Sequence, residues 1–74
     1  MKKMYVTYRW REIGGYTQRY AIECPTEQDM IDCAYDLSSL CGIFRVQMNR
    51  GGRINKQTQV ISFEDYKNGS YYNM

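Results

Sequence analysis

Between Met4 and Trp10 the chain alternates, with Met4, Val6, Tyr8 and Trp10 turned one way and Lys3, Tyr5, Thr7, Arg9 and Arg11 the other. A period of two in β-branched and aromatic residues predicts a half-buried strand. Gly14-Gly15 is then a hairpin signal, because two residues free to take positive φ suit the twist of antiparallel strands. The return strand runs from about Tyr16 to Cys24, with Tyr20, Ile22 and Cys24 inward and Thr17, Arg19, Ala21 and Glu23 outward. Beyond Pro25 the period lengthens. Met30, Cys33, Ala34, Leu37, Leu40 and Cys41 recur at helical spacing and form one apolar stripe. Thr26 stands where a cap is needed, and Glu27 and Asp29 follow where a helix N-terminus favours negative charge. Gly42 is a natural terminator, with Ile43 placed to close a hydrophobic contact.

The period of two returns from Ile43 to Arg50, placing Phe44, Val46 and Met48 on one face and Arg45, Gln47 and Asn49 on the other. Gly51-Gly52 reads as a second hairpin, leading to a fourth strand from about Arg53 to Phe63 with a bulge near Gln59. Ser62 to Gly69 has the pattern of one helical turn. The expectation is one α+β domain, ββαββ, over residues 1–66, followed by a flexible tail over 67–74. Its four-stranded sheet carries one helix on one face, so the other face must meet water or a partner. A β-grasp order, with first and last strands parallel at the centre, fits this pattern, and so does an all-antiparallel order.

A chain of 74 residues has room for one small core, and at this size only about 60% of the unfolded surface is buried. Hydrophobic content of 43% and charged content of 24% exclude a disordered chain. No apolar run approaches eighteen residues, and Lys2-Lys3 leads into Tyr-Val-Thr-Tyr-Arg rather than an apolar leader core. Neither a membrane span nor a secretory signal is expected, and a cytoplasmic protein is. Three cysteines at spacings of nine and eight, with no His in the chain, fit no zinc pattern. They read as reduced thiols, and no cofactor is expected.

Charge changes the picture most. Residues 1–22 balance to +4, residues 23–42 to −5 with no Lys or Arg, and residues 43–58 to +4 with no acid. The strands are therefore basic and the helix acidic. Catalysis is poorly provided for. The absence of His removes the commonest general base near neutral pH. Ser38 and Ser39 lie on the helix with no evident base, and Asp29, Asp32 and Asp36 at helical spacing read as a solvated face. The Gly-Gly pairs sit between strands and are not phosphate loops.

Binding is better provided for. The uncovered sheet face should display Tyr5, Thr7, Arg9, Arg11, Thr17, Arg19, Arg45, Gln47 and Asn49, with Arg50 and Arg53 extending it from the second turn. Of these, Tyr5, Arg9, Arg11, Arg19, Arg45, Arg50 and Arg53 are the candidate contact residues. Tyr and Arg are enriched at protein interface hot spots. The same pairing of cations and rings serves single-stranded nucleic acid, the alternative partner. The acidic face of Glu27, Asp29, Asp32 and Asp36 is a second candidate surface, and a homodimer a third possibility.

One ββαββ unit, many tyrosines and no catalytic constellation resemble the small accessory proteins that bacteriophages and mobile elements encode, anti-CRISPR and other anti-defence proteins among them. That resemblance implies a compact, stoichiometric inhibitor that occludes a surface of a host protein in the bacterial cytosol. It rests on type alone and assigns no residue a role.

Overall fold

The alternation of Met4–Arg11 builds the central strand β1, in a computed structural model that describes residues 3–11 and 14–69. β2 (Thr17–Cys24) returns antiparallel to it, with Met4 opposite Cys24 and Arg11 opposite Thr17. The turn uses the expected glycines, Gly14 at φ 107° and Gly15 at φ 93°. Helix α1 (Glu27–Ser38) follows, its Thr26 Oγ1 accepting the Asp29 N–H at 3.1 Å. Strand β3 (Ile43–Arg50) pairs with the outer edge of β1, the short strand β4 (Gln59–Ile61) pairs with β2, and helix α2 (Phe63–Lys67) closes the described chain.

α1 lies over β3 and β1, and α2 lies against β2. Between them sits a core of Val6, Tyr8, Tyr20, Ile22, Met30, Cys33, Leu37, Ile43, Ile61 and Tyr66. Met30 and Leu37, the centre of the helical stripe, are both 0% exposed. Burying each such side chain contributes roughly 1.5–3 kcal/mol. Tyr8 and Tyr20, opposite each other on β1 and β2, stack with ring centroids 5.4 Å apart. The two most central tyrosines are therefore core residues.

The α+β class with four strands and a helix stands, but the strand order is neither one expected. It is β3-β1-β2-β4, with β1 antiparallel to β2 and β3, and β4 parallel to β2 at the far edge. The first and last strands do not meet. Gly51-Gly52 turns the chain out of the sheet, with no fourth strand returning beside β3. Gly51 takes φ 83°, and the Gly52 N–H donates to Asn49 Oδ1 at 2.7 Å. A Cβ on Gly52 would meet that same oxygen at 2.6 Å. The reason β4 is only three residues long is compositional. Arg53 to Thr58 offers a single apolar side chain, Ile54, and cannot present a buried face until Ile61 joins Ile22.

The β3–β4 connection, residues 51–58, must therefore pass from one edge of the sheet to the other. Eight residues reach about 26–29 Å, ample for three strand spacings of about 4.8 Å each. With α1 on the first face, the segment passes the second. Ala21, which faces away from α1, is accordingly 0% exposed, and Ile54 is half-buried. The second face is thus screened in part by the chain itself.

Two further expectations are corrected. The bulge lies in β3, not near Gln59. Thr7 pairs with Gln47 but Arg9 pairs with Phe44, so Arg45 and Val46 together oppose Tyr8. Arg45 absorbs the extra residue at φ 56°. Because side-chain direction has a period of two, this one insertion sends Ile43 into the core and turns Phe44 toward the second face. Cys41 lies outside α1 and is exposed, so it is not part of the buried stripe. At the C-terminus, Lys67 belongs to α2 with its Nζ 5.3 Å from the Phe63 ring centroid, and Gly69 is buried. Residues 67–69 of the tail expected over 67–74 are thus ordered against the fold, and residues 70–74 lie outside the described residues.

Candidate functional site

Arg9 and Arg19 stand directly opposite each other on β1 and β2, on the face away from α1. Arg45, at the bulge of β3, lines the same place. The three guanidinium-bearing residues line one concavity of about 210 Å³, together with Thr7, Gln47 and Thr58. Its walls thus come from three strands and the end of the crossing segment. Thr7 Oγ1 lies 3.5 Å from the Gln47 carbonyl oxygen, tying β1 to β3 along its floor.

No acid lines this concavity, and among the described residues none of the three arginines forms a salt bridge. Partial desolvation, followed by the positive fields of Arg19 and Arg45, holds the Arg9 guanidinium below its ordinary value. Like charges gathered without a counter-charge disfavour one another.

The other expected contact residues disperse. Tyr5 lies on the same face but is half-buried between Glu23 and Asn49. Arg11 sits at the end of β1, where its N–H donates to the Gly42 carbonyl at 3.4 Å, and borders a separate depression with Phe44. Arg50 points to the helix side, its Nε 2.8 Å from Glu27 Oε1. Its register opposite Met4 puts it there, since Met4 shares the face of Val6 and Tyr8. Arg53 is exposed in the crossing segment. Three of the seven candidates therefore meet, and Thr58 joins them unforeseen, because β4 was expected beside β3 and not beyond Arg19.

The acidic surface is largely engaged within the fold. Glu27 holds Arg50, Asp32 accepts from Gln28 Nε2 at 2.9 Å, and Asp36 accepts from the Tyr66 hydroxyl at 2.8 Å. Asp29 sits in the first turn of α1. Ser38 and Ser39 donate to the carbonyls of Ala34 and Asp36 at 2.7 and 2.8 Å. Both hydroxyls thus complete helix carbonyls. Among the described residues no three His, Cys, Asp or Glu converge as metal ligands would, and no helix is long and apolar enough to cross a membrane. Compared with protein-family models, curated proteins and solved structures, the chain matches none.

Proposed function

We propose that this chain is a non-enzymatic binding module that occupies an acidic surface of a partner protein, in the stoichiometric manner of the phage-encoded proteins it resembles in type. The observation that carries this reading is the meeting of Arg9, Arg19 and Arg45 in one concavity that no acid lines. Arginine is the cation best suited to an interface, since its planar fork meets a carboxylate in two parallel hydrogen bonds. A protein partner is favoured over single-stranded nucleic acid because base stacking needs exposed rings. Tyr8 and Tyr20 point into the core at 2% exposure each, and the rings on the arginine face, Tyr5 and Phe44, are half-buried.

The test is a pull-down from bacterial lysate with and without nuclease, comparing the wild type with Arg9→Glu/Arg19→Glu. A protein band that survives nuclease but disappears in the variant supports the reading. Nuclease-sensitive capture whose affinity falls linearly in log[salt] overturns it in favour of nucleic acid.

A further inference from the structure

The concavity's inventory is more selective than a general basic patch. Three guanidinium-bearing residues approach it from three different strands, and Thr7, Gln47 and Thr58 add neutral polar groups. Each guanidinium offers five N–H donors in a planar fork and no acceptor. A carboxylate brings a single negative charge and two oxygens. A phosphate monoester brings about −1.5 to −2 charges near neutral pH and three strong acceptor oxygens. Three arginines, +3 in all, match the number of oxygens and come closer in charge to a phosphate monoester than to one carboxylate.

Size agrees. A concavity of about 210 Å³ falls below the roughly 300–1,000 Å³ of pockets that take whole drug-sized ligands. It suits a group of a few heavy atoms, with whatever carries the group lying outside. Arg45 adds a sign of specialisation. A non-glycine residue at φ 56° is held in the left-handed region, a conformation that costs energy and that recurs at functional sites.

We infer that the Arg9, Arg19 and Arg45 concavity is a phosphate-binding site, whose ligand is a phosphate monoester. The inference rests on the reading of this concavity as the contact site and names the group it grips. On a protein partner that group is a phosphorylated side chain. Phosphate is bound as a whole by charge-assisted hydrogen bonds and no bond to it is made or broken.

Amide and arginine Nε–H NMR spectra of the wild-type protein, titrated with inorganic phosphate at fixed ionic strength, test this directly. Saturable shifts confined to Thr7–Arg9, Arg19, Arg45–Gln47 and Thr58 are expected. Acetate at matched ionic strength should bind at least about tenfold more weakly, the equivalent of 1.4 kcal/mol. Arg45→Gln should weaken phosphate by about tenfold or more, and the same spectra report whether the variant is folded. O-phosphoserine and a nucleoside 5′-monophosphate form two further arms. Equal binding of both shows that the phosphate group itself is recognised, and tighter binding of one identifies its carrier.

Shifts that fail to saturate, that spread over the whole surface, or that acetate and chloride reproduce would overturn the inference on the wild type alone. Its failure is separable from that of the function above. If phosphate does not bind but Arg9→Glu/Arg19→Glu still loses the protein partner, only the phosphate assignment falls. If phosphate binds and partner capture is indifferent to the variant, only the function falls.

Discussion

Arg9 and Arg19 are direct cross-strand partners, a placement of like charges that works against the sheet. Their opposition is a cost of holding the site together, and it can be separated from function. Replacing Arg19 with Thr should raise the urea midpoint at low salt while abolishing anion binding. The gain should shrink as salt is added, because exposed charges are screened over about 10 Å at 0.1 M. A midpoint that falls, or a gain indifferent to salt, would show that Arg19 supports the sheet through its aliphatic stem instead.

Arg45 supplies the second separation of stability from function. At φ 56° its backbone occupies a region that glycine enters freely and β-branched residues resist. Arg45→Gly should keep the bulge and stabilise the fold by up to about 1 kcal/mol, the released strain being partly offset by glycine's greater chain entropy. Arg45→Val should destabilise it. Chemical denaturation of the two variants measures the gap. If valine is tolerated as well as glycine, the strained conformation is not what holds the bulge.

How much of this was legible can be argued from single residues. Thr26, Met30 and Leu37 announced α1, because cap and apolar spacing both act within one element, whereas the helix ends at Ser38 with Ser39 as its cap and not at the expected terminator Gly42. The alternation from Met4 to Trp10 gave β1 for the same reason. Arg45 could not be foreseen. A bulge is usually signalled by glycine at its left-handed position, and here that position holds arginine. From that one residue follow the wrong face for Phe44 and the correct inward place for Ile43. Gly51-Gly52 misled in another way. It resembles a hairpin locally, but whether the chain returns beside β3 depends on an apolar strand arriving promptly, and Arg53 to Thr58 supplies none. Arg9 and Arg19 were legible as outward residues of adjacent strands. Arg50 was not separable from them, since its face depends on the register opposite Met4.

The cysteines give a prediction that needs no partner. Cys24 and Cys33 are 3% and 1% exposed, whereas Cys41 is exposed in the loop after α1. Its hydrogen bond with Cys24, then burial, pushes the Cys33 thiol up and keeps it protonated. Only a thiolate is a competent nucleophile. A thiol reagent at pH 8 should therefore label one cysteine quickly in the native protein, and all three in denaturant. Peptide mapping should place the fast label on Cys41. Rapid native labelling of Cys33 would mean that α1 opens readily from the sheet.

Tyr66 docks the second helix. Its ring is 9% exposed, and its hydroxyl donates to Asp36 Oδ2 at 2.8 Å, joining α2 to the far turn of α1. Burial first, and then the bond to the Asp36 carboxylate, push the Tyr66 hydroxyl above its ordinary value. A group raised in the folded state favours folding fully at pH below its unfolded value, about 10 for tyrosine. That contribution drains away as pH rises beyond 10, because the unfolded chain loses a proton that the folded chain retains. Tyr66→Phe should cost about 1–2 kcal/mol at pH 7, typical of a partly buried hydrogen bond to a charged acceptor. The gap between variant and wild type should narrow above pH 10. Urea denaturation of both proteins from pH 7 to 11 measures it. The other tyrosines act alike in the two chains, so curves that stay parallel throughout would show that this hydroxyl does not secure α2.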